Sequence, residues 1–201
     1  LTKGIGGFGT DIGGAVIGPR WLHDPLILYR KDFGGSLSPK AAWNFYVYGL
    51  PSLAARMINY AKSAHRIARF LEEHPKVEYV RYPGLESFPQ LALAKRQLQD
   101  ERGRFAPGSM VYFVLKDPAG DGSAGPRMVN FIADNSYCIT LAVSLGQVKT
   151  LIECPYEMTH AAMPDEAKRE RGLLPGGIRL SVGLEDWHDI IADLSAALDQ
   201  V

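Results

Sequence analysis

A long run of regularly spaced apolar residues most constrains how this chain can fold. Between Leu53 and Leu71, apolar side chains recur at steps of three and four residues. They are Leu53, Met57, Tyr60, Ala61, Ala64, Ile67, Ala68 and Leu71. This spacing places them on one face of an α-helix, and that face must be covered by other elements. The sequence therefore predicts a long helix packed against a core, ended by His74 and Pro75.

The segment before this helix carries further local signals. Ser38 directly before Pro39 is typical of a helix start, because serine caps the first amides and proline fits the first turn. The helical pattern continues to about Glu73 but is interrupted at residues 49–51, so two helices or one kinked helix are expected. Residues 14–18, GAVIG, are a short apolar run between glycines and predict a buried strand.

Downstream of the long helix, strand and helix patterns alternate. Strands are expected at 77–84, 109–115, 137–144 and 177–185. Helices are expected at 91–99, 127–134, 165–171 and 186–198. From about residue 57 onward, this order predicts an α/β domain with a largely antiparallel sheet.

Composition excludes several classes of protein. The 201 residues are 46% hydrophobic, and 22 basic residues balance 22 acidic ones. A nucleic-acid or membrane-surface protein would need a basic excess, so neither partner is expected. No apolar run is long enough for a membrane span, and no signal peptide is expected. With Cys138 and Cys154 as the two cysteines, a disulfide framework is not expected and a cytoplasmic location is favoured.

The first residues, LTKGIGGFG, contain a glycine pattern that has two interpretations. Residues 4–9 match G-x-G-x-x-G, but the dinucleotide fingerprint needs a strand before it and a helix after it, and neither is expected here. The other interpretation starts from Lys3, whose amine can attack a carbonyl group when partly deprotonated. Thr2 could bind a phosphate of the same ligand, and the glycines let the backbone pass close to a ring. A pyridoxal-phosphate anchor is thus one possibility, and a plain solvated loop is the other.

Six segments in order resemble the pyridoxal-phosphate (PLP)-dependent enzymes of cysteine and methionine metabolism, the cystathionine synthase/lyase family. They are LTK at 1–3, GGSLSPKAAW at 34–43, YPGLESFPQLALAKRQL at 82–98, LAVSLGQVKTLIECP at 141–155, MTHAAMP at 158–164 and GIRLSVGLED at 177–186. The likeness covers essentially the whole chain.

The resemblance implies a fold-type-I PLP transferase, which is the aspartate aminotransferase-like α/β class. Residues 1–56 would be the end of the large PLP-binding domain, and residues 57–201 the small C-terminal α/β domain. The family's N-terminal half carries other cofactor contacts, so that half is an expected partner. A homo-oligomer, a dimer of dimers, is expected as well.

The resemblance also assigns residues to the site. Lys3 matches the Schiff-base lysine, and Thr2 matches a hydroxyl that contacts the cofactor phosphate. Arg179 matches the arginine that holds the substrate α-carboxylate. Ser144 lies where the family adds a second carboxylate contact, and Thr159 lines the same pocket. No metal ligands are assigned.

Three more residues bear on the reaction that the resemblance implies. Lys31 and Asp32 match a pair near the active site of the family's lyase branch and are second-rank candidates. Val143 stands where cystathionine-using members carry a glutamate, which favours γ-elimination of the methionine γ-lyase type. γ-Replacement, as in an O-acetylhomoserine sulfhydrylase or a cystathionine γ-synthase, and a catalytically silent module of the same fold are the alternatives.

Overall fold

The computed structural model describes residues 1–201, and its centre is a five-stranded sheet. The strands are β1 (Val77–Arg81), β2 (Met110–Leu115), β3 (Thr140–Leu141), β4 (Leu151–Glu153) and β5 (Gly177–Ser181). Their order in the sheet is β1-β2-β5-β4-β3. Three of the four neighbouring pairs are antiparallel, and β3 runs parallel to β4. The expectation of a largely antiparallel sheet is confirmed.

Seven α-helices accompany the sheet. They are α1 (His23–Phe33), α2 (Pro39–Asn44), α3 (Leu50–Glu73), α4 (Leu91–Gln97), α5 (Ala124–Asn135), α6 (Asp165–Glu170) and α7 (Trp187–Leu198). Helix α3 packs on β1, β2 and α7, and α5 packs on β2, β3, β5 and α7. These contacts enclose one cluster of 25 buried residues, to which α3 contributes Ala64, Ile67, Ala68 and Leu71. The apolar stripe of the long helix is therefore confirmed over its C-terminal part, whereas Leu53 and Met57 are half-buried and lie outside this cluster.

The start of the helical region follows the expected capping chemistry. The Ser38 hydroxyl accepts a hydrogen bond from the Ala41 amide at 3.1 Å, and Pro39 is the first residue of α2. Residues 45–49 form one π-helical turn that joins α2 to α3 without a break. The interruption expected at 49–51 is thus a local change of helical pitch, a π-bulge of the kind often found near functional sites.

Some strand predictions were wrong or too long. Residues 14–18 form no strand, and Val16 and Ile17 are 74% and 97% exposed. No other strand lies beside them to satisfy their backbone groups, which a strand requires. Of residues 137–144, strand β3 includes two, because the preceding turn is fixed by side-chain contacts to Asp193. The patterns did not indicate α1 or β4.

No helix in the structure combines the length and apolar character that a membrane crossing needs. The proposed division between residues 56 and 57 falls inside α3 and stays a prediction, as does the cytoplasmic location.

Candidate functional site

Lys3 lies in a tight glycine-rich turn at the edge of the sheet domain. The amide of Gly6 donates to the Leu1 carbonyl and that of Gly7 to the Lys3 carbonyl, both at 2.8 Å. Gly7 has a φ of +78°, a conformation that glycine adopts without a steric penalty. The turn leaves the Lys3 side chain exposed and directed to Ser144, whose hydroxyl accepts from the lysine Nζ at 3.0 Å.

The Lys3–Ser144 contact joins residues that are 141 positions apart. A close backbone approach supports it: a Cβ on Gly146 would lie 2.8 Å from the Gly4 amide nitrogen. The segment after β3 therefore rests directly on the lysine turn. A larger residue at position 146 would separate Ser144 from Lys3.

Thr2 is bound to the neighbouring loop. Its hydroxyl donates to the Gly13 carbonyl at 3.2 Å and accepts from the Gly13 amide at 2.9 Å. The Thr2 amide also donates to that carbonyl at 3.1 Å. An open cleft of about 420 Å³ is lined by Thr2, Lys3 and Gly13 among other residues. The Thr2 hydroxyl thus already donates to a carbonyl of this chain, and it lies beside a cleft that a ligand could enter.

Arg179 lies on β5 directly opposite Glu153 on β4. Its Nη1 contacts the Glu153 Oε1 at 2.5 Å, and its Nη2 donates to the Ser144 carbonyl at 2.7 Å. Burial lowers the pKa of Arg179, and the charge of Glu153 acts in the opposite direction. The guanidinium is therefore fixed on two sides, by a carboxylate and by the same serine that contacts Lys3.

Glu153 is the residue that the sequence reasoning missed. Its side chain is fully buried, and the Thr159 hydroxyl donates to its Oε1 at 3.1 Å. Two atoms of the pair are buried without a hydrogen-bond partner, Glu153 Oε2 and Arg179 Nε. A glutamate inside the apolar strand segment LIEC was the available signal, because buried acidic side chains are rare unless paired.

The remaining candidates lie outside this cluster of contacts. Val143 directly precedes Ser144 and is 56% exposed, with no acceptor on its side chain. Lys31 and Asp32 lie on α1, which has no buried residue, and the side chain of neither forms a hydrogen bond or ion pair. The structure thus brings together Lys3, Ser144, Arg179 and Thr159, with Thr2 adjacent. No group of three or more His, Cys, Asp or Glu side chains is placed to hold a metal ion.

The chain matches known proteins over its whole length. The family model described as Cys/Met metabolism PLP-dependent enzyme matches residues 1–199. The L-methionine gamma-lyase of Fusobacterium nucleatum subsp. polymorphum is 39% identical over 203 residues, which is 100% of this chain and 48% of that protein. The O-succinylhomoserine sulfhydrylase of Mycobacterium tuberculosis is 39% identical over 198 residues, 98% of this chain and 46% of that protein.

A solved structure has the same fold. Cystathionine gamma synthase from Xanthomonas oryzae pv. oryzae, in complex with aminoacrylate and cysteine, superposes with a TM-score of 0.84. It is 36% identical in sequence, and the match covers 99% of this chain and 48% of that one. The fold-type-I expectation is therefore confirmed, and the chain spans about half the length of the relatives that it matches. On these matches, the chain belongs to the Cys/Met metabolism PLP-dependent enzyme family.

Proposed function

We propose that this chain is part of a PLP-dependent enzyme that carries out γ-elimination on a sulfur amino acid, in the manner of a methionine γ-lyase. The expected products are a 2-oxo acid, ammonia and a thiol. One observation carries the proposal: the amine of Lys3 lies 3.0 Å from Ser144, and the carbonyl of Ser144 is bound by Arg179. An amine and a carboxylate-binding group thus share one site.

The residues present fit the cofactor. Lys3 forms no ion pair, and its exposed amine has one hydrogen-bond partner, the hydroxyl of Ser144. An amine in this position can condense with an aldehyde once it is deprotonated. Lys3 would therefore hold PLP, which when bound supplies an electron sink for the carbanion at the substrate Cα.

Arg179 and Ser144 would bind and orient the substrate. A guanidinium offers a planar pair of donors that matches a carboxylate, and the strand together with Glu153 fixes its plane. Fixing the carboxylate holds the Cα–H bond in one orientation, which removes orientational entropy from the reaction. Thr159 would line the same pocket through its contact with Glu153.

Lys3 would also move the protons. Its amine is exposed and on a short turn, so the same nitrogen could accept the proton from the substrate Cα and later return a proton to another carbon of the substrate. Thr2 would contact the cofactor phosphate, and it would have to release the Gly13 carbonyl to donate. Lys31 and Asp32 remain second-rank candidates on α1.

The complete enzyme would include a second half and further copies. Sixteen of the twenty-one exposed large apolar side chains lie between Ile5 and Leu50, in the part assigned to the PLP-binding domain of residues 1–56. Exposed apolar side chains concentrated in one part of a chain are typical of an interface. We propose that the family's N-terminal half covers it and that the enzyme is a homo-oligomer, a dimer of dimers.

Val143 favours elimination from a short apolar substrate. It offers no acceptor for the distal ammonium of cystathionine, and an ammonium buried without a partner is costly. A methylthio group needs no such partner. γ-Replacement of the O-acetylhomoserine sulfhydrylase or cystathionine γ-synthase type is the second candidate, supported by the similarity to the sulfhydrylase and synthase relatives. A catalytically silent module of the same fold is the third candidate.

The test uses the full-length protein and its Lys3→Ala variant. The wild type should retain the PLP absorbance band after dialysis, and Lys3→Ala should lose the borohydride-trapped cofactor. Release of 2-oxo acid is then compared for methionine, cystathionine and O-acetylhomoserine, the last with and without sulfide. Trapped cofactor that survives in Lys3→Ala would refute the anchor. Sulfide-dependent homocysteine formation would favour γ-replacement. The absence of turnover with all of these substrates would favour the catalytically silent module.

A further inference from the structure

Arg56 is a buried arginine without an acidic partner, and it contacts the turn that carries Lys3. Its side chain lies on α3 and is 3% exposed, and it forms no ion pair. Buried charges in proteins are usually paired with an opposite charge. Here the charge is met by oxygen atoms of the backbone and of one hydroxyl. Burying this guanidinium costs desolvation free energy. The groups that it binds therefore indicate its role.

Four oxygen atoms accept hydrogen bonds from the Arg56 guanidinium. Its Nη1 donates to the Gly4 carbonyl at 2.8 Å, and its Nη2 donates to the Ile5 carbonyl at 2.9 Å. Nη2 also donates to the Gly49 carbonyl at 2.9 Å, and Nε donates to the Ser52 hydroxyl at 2.9 Å. The planar guanidinium thus ties the two residues that follow Lys3 to the junction of the π-helical turn with α3. Its charge also lies 5.5 Å from the centre of the Phe8 ring.

Two glycines make this contact sterically possible. A Cβ on Gly7 would lie 2.1 Å from the Arg56 Nη1, so a side chain there would displace the guanidinium. A Cβ on Gly49 would lie 2.9 Å from the Ile5 carbonyl oxygen, so the helix approaches the turn backbone to backbone. The turn, the π-helical segment and Arg56 therefore form one interlocked unit.

We infer that Arg56 is a positioning residue for Lys3. By binding the carbonyls of Gly4 and Ile5, it fixes the direction in which the lysine side chain leaves the turn toward Ser144. Charge-assisted hydrogen bonds are the stronger kind, and the rigid fork of arginine holds two carbonyls at once, which a lysine cannot reproduce. This inference rests on the proposed function, because positioning matters only if the Lys3 amine reacts.

The experiment measures the turn and the cofactor separately in the full-length protein. Hydrogen exchange of peptides covering residues 1–13 is compared with that of β2 for wild type, Arg56→Met and Arg56→Lys. Arg56→Met should speed exchange in the turn by at least about tenfold, which corresponds to about 1.4 kcal/mol, while β2 is unchanged. Release of PLP to a scavenger should accelerate in parallel, and Arg56→Lys should give intermediate values. Arg69→Met, at an exposed position of the same helix, is the control.

A second substitution tests the same contact from the lysine turn instead of from α3. Gly7→Ala should speed exchange in the turn as Arg56→Met does, and the double variant should add little more. Gly103→Ala, a glycine with a φ of +72° and open space around it, controls for backbone strain alone. Exchange in the turn like that of the wild type, or an equal rise in β2, would overturn the inference. Retained cofactor in Lys3→Ala would instead refute the proposed function, and the exchange results would stand independently.

Discussion

The buried pair of Glu153 and Arg179 allows a sharp prediction about stability. Glu153 is fully buried, whereas the Arg179 side chain is 17% exposed, so the two members are not equivalent. Removing one partner of a buried pair generally costs about 3–5 kcal/mol, because it leaves the other charge uncompensated. Replacing both by apolar residues of similar size is often neutral or stabilising. The asymmetry in burial decides which single change costs more.

Arg179→Met should be the more damaging single substitution. It leaves the Glu153 carboxylate with one donor, the Thr159 hydroxyl, in a site without access to water. We expect a loss of about 4–5 kcal/mol in the free energy of unfolding. Glu153→Leu leaves a guanidinium that keeps its hydrogen bond to the Ser144 carbonyl and can reach water, so a loss of about 3 kcal/mol is expected.

The double variant Glu153→Leu/Arg179→Met should recover to within about 1 kcal/mol of the wild type, and it should lack substrate affinity. Urea unfolding, followed by circular dichroism, measures the free energy of unfolding of the wild type, the two single variants and the double variant. The four values can be compared if that free energy depends on urea concentration with the same slope in each protein. The control is Arg69→Met, which breaks an exposed pair with Glu73 and should change stability by less than about 1 kcal/mol. Additive losses in the double variant, or a greater loss for Glu153→Leu than for Arg179→Met, would refute this reasoning.

Two further predictions concern the segment that leads into the site. Burial alone would raise the pKa of Asp193, but hydrogen bonds from the Ser136 hydroxyl and from the amides of Tyr137 and Cys138 outweigh it and lower that pKa. The ionised carboxylate therefore stabilises the fold above about pH 4, and this stabilisation decreases as the pH falls further. In urea titrations, Asp193→Asn should lower the free energy of unfolding by about 1–2 kcal/mol at pH 7 and by less at pH 3. An equal loss at both pH values would contradict this. Val143→Glu should raise the ratio of kcat/KM for cystathionine over methionine by about tenfold, as expected for one charged hydrogen bond, and an unchanged ratio would remove Val143 from specificity.

The parts of the fold that the sequence could predict are those with a local cause. The stripe on α3 and the cap formed by Ser38 and Pro39 depend on neighbours within a few residues. Strand β4 has three residues, too few for a period of two to be distinguished from chance. Helix α1 was missed because its apolar residues are adjacent rather than periodic, and none of them is buried.

The prediction of the site residues depended on a different kind of information. Matching ordered segments assigned Lys3, Ser144 and Arg179 without any knowledge of distances. The pairing of Glu153 with Arg179 depends on the register between β4 and β5, which the strand sequences do not specify by themselves. The hydrogen bonds from Arg56 to the lysine turn likewise span more than fifty residues. Neither contact could have been read from residue types alone.

The failed strand at 14–18 shows what an apolar pattern does and does not determine. Val16 and Ile17 are 74% and 97% exposed, and the exposed apolar side chains that follow them through Phe33 range from 37% to 83%. An apolar run indicates that burial is favourable, but it does not say whether the covering surface belongs to the same sheet, to a preceding half or to another copy. The same physical signal placed α3 correctly on its own core, but at residues 14–18 it did not identify a covering surface. The strand prediction was wrong because it assumed a neighbouring strand that the structure does not supply.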